Sequence, residues 1–531
     1  MDTLRRFWGL VSSDSYTVKR ASALLALTAL ASNVLGLLRN LVFYWLVPKE
    51  QLDVYFTAFT IPNFLFNIII FGAVSSAFVP IASEMLAAKK ERETNELTNQ
   101  LLSWLTVLFI CVSIILMLAM GPLMHLVAHR FDAPRLEETI GISRILLVQS
   151  IFFAWSFTVG GYLNSTKRFA SYAIAPLLYN LVIIAGGFLA VHYGIIAIAW
   201  AVVAGSLAHF GIQYRELMKT SYRPKLDLRF TPHMKEISKL MLPRSISQGT
   251  AQLVDGVYTF LGAGLLPSSI TIFNAMNDIQ TMPIQMVGNS MAVAIFPSLS
   301  TFASQGEWEK VNELLEKVLR ATLFLLIPAI MFVYVVRAQI VRLYLHSSTW
   351  EQTDLAIDTF VAFLIGIIPA CFIAILSRVF YALKNTRTPM ILSAIAAAIA
   401  ILYATISISA GGNVINLAIA ESILMVTQCC LYGFALYRDK SIKLGIRSMG
   451  GKIMSYIFGG LILSGVTWLV LQGMDWIYNS LNILGTHTVK GLFVQLIVAS
   501  IIGVATFLAY SKAVHKQELQ WILRRNFSNE K

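Results

Sequence analysis

Long apolar runs constrain this chain of 531 residues more than any other feature. The stretches 101–120, 177–191, 321–336, 391–408 and 453–471 are each near or above the ~18 residues that mark a spanning helix. Apolar residues make up 57% of the chain and charged ones 13%, against roughly 25% charged in an ordinary soluble domain. The chain therefore reads as an all-α polytopic membrane protein of about 14 transmembrane helices.

A formal net charge of +13 invites a nucleic-acid reading, but the distribution of the basic residues argues against it. They gather in alternate connections: Arg5, Arg6, Lys19 and Arg20, then Lys89, Lys90 and Arg92, then Lys167 and Arg168. The series continues through 215–235, Lys310, Lys384 and Arg387, 438–452 and the tail, while the intervening loops carry little beyond Lys49, Arg130 and Arg135. The positive-inside bias then makes both termini cytoplasmic and the span count even, which implies a multi-pass membrane protein. Cys111, Cys371, Cys429 and Cys430 all fall in apolar spans and read as small core residues. The start of the chain lacks a signal-peptide pattern and suggests a short interfacial helix.

The spans run from 21–47 to 489–511, and the segments divide as an interfacial N-terminal piece 1–20, an N-lobe 21–215, a cytoplasmic linker 216–236 and a C-lobe 237–437. A basic cytoplasmic loop 438–452, a final helix pair 453–511 and a cytoplasmic tail 512–531 complete the chain. The linker is basic, contains Pro224 and Pro232, and reads as a hinge. An internal repeat supports two lobes: Phe78-Val79-Pro80 is answered by Ile295-Phe296-Pro297, and Asn95-Glu96-Leu97 by Asn312-Glu313-Leu314. Further on, Tyr162 and Arg168 are matched by Tyr381 and Arg387 at equal spacing. Six spans separate each pair, so two six-helix lobes form a parallel repeat with two C-terminal helices added.

Polar side chains in membrane helices are expensive, so their periodicity locates an interior. Span one carries Ser32, Gly36, Arg39 and Asn40 on one face, and span two carries Asp53, Thr57, Thr60, Asn63 and Asn67. Span seven adds Ser245, Gln248, Gln252, Asp255 and Thr259; span eight adds Asn274, Asn277, Asp278, Thr281, Gln285 and Asn289. These four spans are related by the repeat, which predicts a polar chamber between the two halves. The competing explanation is that the stripes only join helices through hydrogen bonds of roughly 0.6–2 kcal/mol each. Pro62, Pro176, Pro243, Pro283, Pro328 and Pro369 lie in or beside spans and permit bends. No zinc-ligand spacing, P-loop, nucleophile elbow or nucleotide fingerprint is found, so the reading is of a protein that is not an enzyme and holds no metal.

Several stretches in order resemble the MurJ (MviN) family of the multidrug, oligosaccharidyl-lipid and polysaccharide exporter superfamily. They are Ser32-Asn33-Val34-Leu35-Gly36-Leu37-Leu38-Arg39, Asp53-Val54-Tyr55-Phe56-Thr57-Ala58-Phe59-Thr60-Ile61-Pro62-Asn63, Pro176-Leu177-Leu178-Tyr179-Asn180 and Leu242-Pro243-Arg244. Phe296-Pro297-Ser298-Leu299-Ser300 and the run from Arg378 to Pro389 extend the similarity over most of the chain. The resemblance implies fourteen spans and a flippase that carries lipid II, the undecaprenyl-diphosphate-linked peptidoglycan precursor, to the outer leaflet. It also implies that the last two spans form a groove for the lipid tail, and that the chamber is cationic.

By resemblance Arg39 and Asp53 occupy functional family positions, whereas Asn33, Phe66 and Asp278 stand where the family has arginines. A guanidinium grips a diphosphate in bidentate fashion, so the loss of three bears on the cargo. The substrate-binding candidates are Arg39, Asp53, Asn63, Arg244, Asn277 and Asp278. Arg244 can join Arg39 on the head group, or a coupling cation, Na⁺ or H⁺, can neutralise Asp255 or Asp278. Alternatively Arg39 pairs with one of these aspartates as a structural bridge. No cofactor is otherwise called for, and the expected partners are membrane lipids and the lipid-linked glycopeptide. Two rivals stand beside the flippase: a cation-coupled exporter of amphiphilic solutes, and a scaffold that transports nothing.

Overall fold

A computed structural model describes residues 18–73, 78–346, 348–439, 442, 446–481 and 488–523, with the side chains of 242–248 among those left outside. Every regular element among the described residues is helical. The interfacial helix expected within 1–20 lies almost wholly outside them. Contacts divide the chain into two compact units, Met1–Thr271 and Ile272–Lys531.

In the first unit the helices are α1 (Val18–Leu46), α2 (Lys49–Ala73), α3 (Val79–Ala87), α4 (Glu91–Val127), α5 (Ala133–Ser165), α6 (Phe169–Tyr193), α7 (Ile196–Leu217) and α8 (Pro232–Ala263). Helix α5 is central, packed against α2, α4 and α7, while α6 lies against α1 and α7. The core is built from Leu97, Leu101, Leu105 and Phe109 of α4 with Leu147, Ala154 and Tyr162 of α5. Between α6 and α7 the helices meet through small residues: a Cβ on Gly186 would fall well inside van der Waals contact with Ala201. Lipid gives helices no hydrophobic drive to associate, so close backbone approach of this kind supplies the dispersion contact instead. By its contacts α8 belongs with this unit, lying on α2 and α4, although the sequence repeat starts the second lobe at residue 237.

The linker is not a loose hinge. Residues 222–231 form no regular element and are tied to the polar face of the first half of α4. Tyr222 Oη donates to Asn99 Oδ1 at 2.7 Å, and the Lys225 N–H reaches the same oxygen at 2.8 Å. The Asp227 N–H meets Ser103 Oγ at 2.9 Å, and Thr231 Oγ1 donates to Gln100 Oε1 at 2.7 Å. Arg229 bridges Asp227 at 2.7 Å and Glu96 at 3.5 Å.

In the second unit α9 (Ser269–Pro283, entering from the first), a π-helical turn (Ile284–Asn289) and α10 (Ser290–Ser304) form one long span. Then come α11 (Trp308–Val335), α12 (Arg337–Tyr344), α13 (Trp350–Ala382), α14 (Arg387–Ser409), α15 (Val414–Tyr437), α16 (Ile446–Leu481), α17 (Val489–Val514) and α18 (Lys516–Leu523). Helix α13 touches α10, α11 and α15, the part that α5 plays in the first unit. The added pair sits with α16 on α11, and α17 on α16 and α12. The short α18 is held by Lys452 Nζ donating to Glu518 at 2.8 Å, beside Ser455 and His515 at 2.9 Å.

The repeat is visible in the backbone. Left-handed residues close helices at Lys89 and Gly306, at Lys167 and Lys384, and at Gly194 and Gly411, each pair 217 residues apart. Helix starts at Glu91 and Trp308, and at Ala133 and Trp350, keep the same interval. This register equates Tyr162 with Val379, so the sequence pairing of Tyr162 and Arg168 with Tyr381 and Arg387 is two residues out. Among the described residues, twelve helices are long and apolar enough to cross a membrane. The other two of the fourteen expected, α2 and α8, each include positions outside the described side chains. Two smaller expectations change: α16 begins at Ile446, inside the expected loop 438–452, and Cys111 and Cys430 are exposed on helix faces while Cys371 is buried.

Candidate functional site

Arg39 lies two turns before the end of α1, half-buried against α6. Its Nε donates to Asn40 Oδ1 at 3.0 Å and its Nη1 to Asn180 Oδ1 at 3.2 Å. The amide of Asn180 is fixed by its own donations to the Pro176 carbonyl at 3.1 Å and to Ser32 Oγ at 3.3 Å. That leaves its oxygen for the guanidinium. The phenols of Tyr55 and Tyr179 lie within Coulombic range. Among the described residues of the first unit, no carboxylate pairs with Arg39. A guanidinium has five N–H donors in a planar fork, and neutral amides occupy two of them. The remainder suit an anion.

Asp53, in the first turn of α2, is 2% exposed. Its Oδ2 accepts the Ser268 N–H at 2.6 Å, and its Oδ1 accepts the Thr271 N–H at 2.7 Å. The Thr271 hydroxyl lies 2.6 Å from Oδ1 and 2.8 Å from the Lys49 carbonyl, its single proton serving one of them. Ser268 adopts φ 76°, which turns its N–H toward the carboxylate just before α9 begins. The first N–H groups of a helix have no partner within it, and the helix dipole favours negative charge there. Asp53 therefore caps α9 from α2.

Beyond Asp53 the α2 stripe passes from buried to open: Thr57 is buried, Thr60 and Asn67 half-buried, Asn63 exposed. Part of this face packs on α8, where a Cβ on Gly256 would meet Thr60 and one on Gly249 would meet Ile68 at 3.6 Å. On α8, Asp255 is exposed, with its carbonyl accepting from Thr259 at 2.9 Å and no described residue bonded to its carboxylate. A bridge from Arg39 to Asp255 does not form. The side chain of Arg244 lies outside the described residues.

In the second unit Asn277 and Asp278 are half-buried on α9. Tyr344 Oη donates to Asp278 Oδ2 at 3.3 Å, and the Asn277 carbonyl accepts from Thr281 at 2.8 Å. The sequence stripe missed Gln280, which is fully buried, with neither side-chain atom hydrogen-bonded among the described residues. It faces Gly366 and Ser422. Its signal was a glutamine two positions past Asp278, on the packed side of the helix. Pro283 leads into the π-turn, a device frequent at functional sites. Arg378 stacks over Phe296 at 5.5 Å and Tyr381 at 5.9 Å.

Residues 20–487 match the family model described as lipid II flippase MurJ. The chain is 25% identical over 405 residues to the probable lipid II flippase MurJ of Bdellovibrio bacteriovorus, covering 73% of this chain and 76% of that one. It is 24% identical over 497 residues to the probable lipid II flippase MurJ of Rhizobium tropici, covering 89% and 92%. Among solved structures, a lipid II flippase MurJ in an inward closed conformation superposes with TM-score 0.76 at 22% identity, covering 94% of this chain and all of that one. An inward-facing multidrug resistance MATE transporter of the MOP superfamily gives TM-score 0.68 at 14% identity, covering 77% and 94%. These two likenesses establish the fold. With a family model running through nearly every span, and helices arranged as that fold requires, the chain belongs to the lipid II flippase MurJ family.

Proposed function

We propose that this protein flips lipid II from the inner to the outer leaflet of a bacterial cytoplasmic membrane by alternating access, as a transporter without catalytic chemistry. The family match over 20–487 carries this reading. Arg39 supports it, being a membrane-level guanidinium whose described partners are neutral amides. Its free N–H groups hold the cargo diphosphate, and Asn63 and Asn277 contact the glycan. Arg244 adds a second cation. Asp255 is the better coupling-ion ligand, for Na⁺ or H⁺, because Asp278 shares its carboxylate with Tyr344. Asp53 keeps the substrate path in register through the α9 cap. The partners are the undecaprenyl-diphosphate glycopeptide and surrounding lipid, and the termini are cytoplasmic.

The test is complementation of a strain depleted of its lipid II flippase, with outer-leaflet lipid II measured directly. The wild-type chain restores the signal; Arg39→Ala inserts normally and abolishes it, and Arg39→Lys, a point charge without the fork, retains a minor part. Failure of the wild-type chain despite normal insertion rejects the cargo. Full transport by Arg39→Ala rejects the head-group assignment.

A further inference from the structure

The segment between α7 and α8 combines polar fastenings with exposed apolar side chains. Toward α4 it directs the N–H groups of Lys225 and Asp227 and the hydroxyls of Tyr222 and Thr231. It also leaves Leu226, Leu228 and Phe230 80%, 45% and 55% exposed, Phe230 with one ring edge against α4. The three alternate with Asp227 and Arg229, whose side chains bond each other, and together they expose a short apolar row. Three large apolar side chains in water would be a liability, whereas their level along α4 places them elsewhere.

The apolar run of α4 covers 101–120. At 1.5 Å per residue it rises ~30 Å, the thickness of the hydrocarbon core. The strap is bonded to α4 at Asn99, Gln100 and Ser103, and Phe230 meets Trp104 edge-on at 6.0 Å between ring centroids. These contacts lie at the edge of that run, where headgroups give way to acyl chains. Exposed Arg223 and Lys225 immediately precede the row. Arg223 gives one nitrogen to the Thr220 and Tyr222 carbonyls at 2.6 and 2.7 Å and keeps its other donors outward.

We infer that residues 222–231 form an interfacial strap, with Leu226, Leu228 and Phe230 seated among acyl chains and Arg223 and Lys225 on the phosphates of an anionic leaflet. The physics is that of a monotopic amphipathic segment, apolar burial plus attraction of basic side chains to negative lipid. Here the segment is not a helix, and α4 accepts the N–H groups of Lys225 and Asp227.

The experiment uses the full chain, with its four cysteines replaced, in nanodiscs of phosphatidylglycerol and phosphatidylcholine. Single cysteines at 225, 226 and 228 carry a small fluorophore, read against nitroxide lipid spin-labelled just below the glycerol level and against aqueous iodide. The expected result is strong nitroxide quenching at 226 and 228, and iodide quenching at 225. Replacing phosphatidylglycerol with phosphatidylcholine, or making R223Q/K225Q, lowers the nitroxide-to-iodide ratio at 226 several-fold. R223Q also gives up the bonds to the Thr220 and Tyr222 carbonyls, so K225Q alone is read beside the double variant, and elution as a single monodisperse species checks the fold. Iodide quenching at 226 and 228 equal to that at 225 overturns the inference. So does protection of both from either quencher, which would mean a protein covers the row. A ratio indifferent to lipid charge overturns the phosphate contact.

Discussion

Arg39 and Asp53 sit on consecutive helices of one unit and are held in opposite ways. The guanidinium meets only amide oxygens and is left with donors to give, whereas the carboxylate receives N–H groups from Ser268 and Thr271 and is saturated. Asp53→Ala should therefore act through folding. Hydrogen bonds to a charged acceptor are worth about 1.5–3 kcal/mol each, and a buried N–H left unpaired adds its own penalty, so a loss of about 2–3 kcal/mol is expected. A lowered apparent melting midpoint in detergent, with transport falling only in proportion to folded protein, would show it; unchanged melting would contradict the cap. Both residues stood out in the sequence because charges in apolar helices are rare. Their partners did not, since Asn180 is 141 positions from Arg39 and no periodicity connects them. Gln280 escaped because a buried amide on the packed side interrupts no apolar pattern.

Among the elements, the strap departs most from its sequence reading. Prolines and basic residues suggested a hinge, but the groups that fasten it, Asn99, Gln100 and Ser103, belong to a helix otherwise read as a plain apolar span. Within the strap, Arg229 donates to Asp227 from both side chain and backbone and, with Gln100, holds that carboxyl well below its ordinary value of 3.8. A carboxyl held low contributes stability that is complete above the unfolded value and disappears as pH falls past it. Hydrogen exchange at the Asp227 and Arg229 amides, corrected for intrinsic rate, should thus be level from pH 8 to about 5 and rise toward pH 3. Protection that is instead lost between pH 8 and 6 would assign the fastening to another group. Helix positions were far easier to read than the strap, because a run such as 101–120 has one physical use and an irregular polar segment has many.

For the whole molecule, the basic connections predict which ends of the helices face the cytoplasm. Glu93 and Glu137 are exposed near opposite ends of α4 and α5. In intact cells an impermeant maleimide should label Glu137→Cys, and Glu93→Cys only after the membrane is opened; the reverse would invert the topology. The many-span helical fold was legible from the apolar runs alone, since a run such as 101–120 is long enough to cross a bilayer. Parallel lobes were also legible, though the exact register needed the left-handed turns. Those turns separate frame from contents. Position 256, one interval beyond Arg39, is a glycine, so this arginine has no twin even though the turns keep pace. In evolutionary terms, a duplicated half can acquire or shed charged side chains while every helix length stays fixed. Descendants of such a scaffold would change cargo by substitution, with little recourse to insertion or deletion.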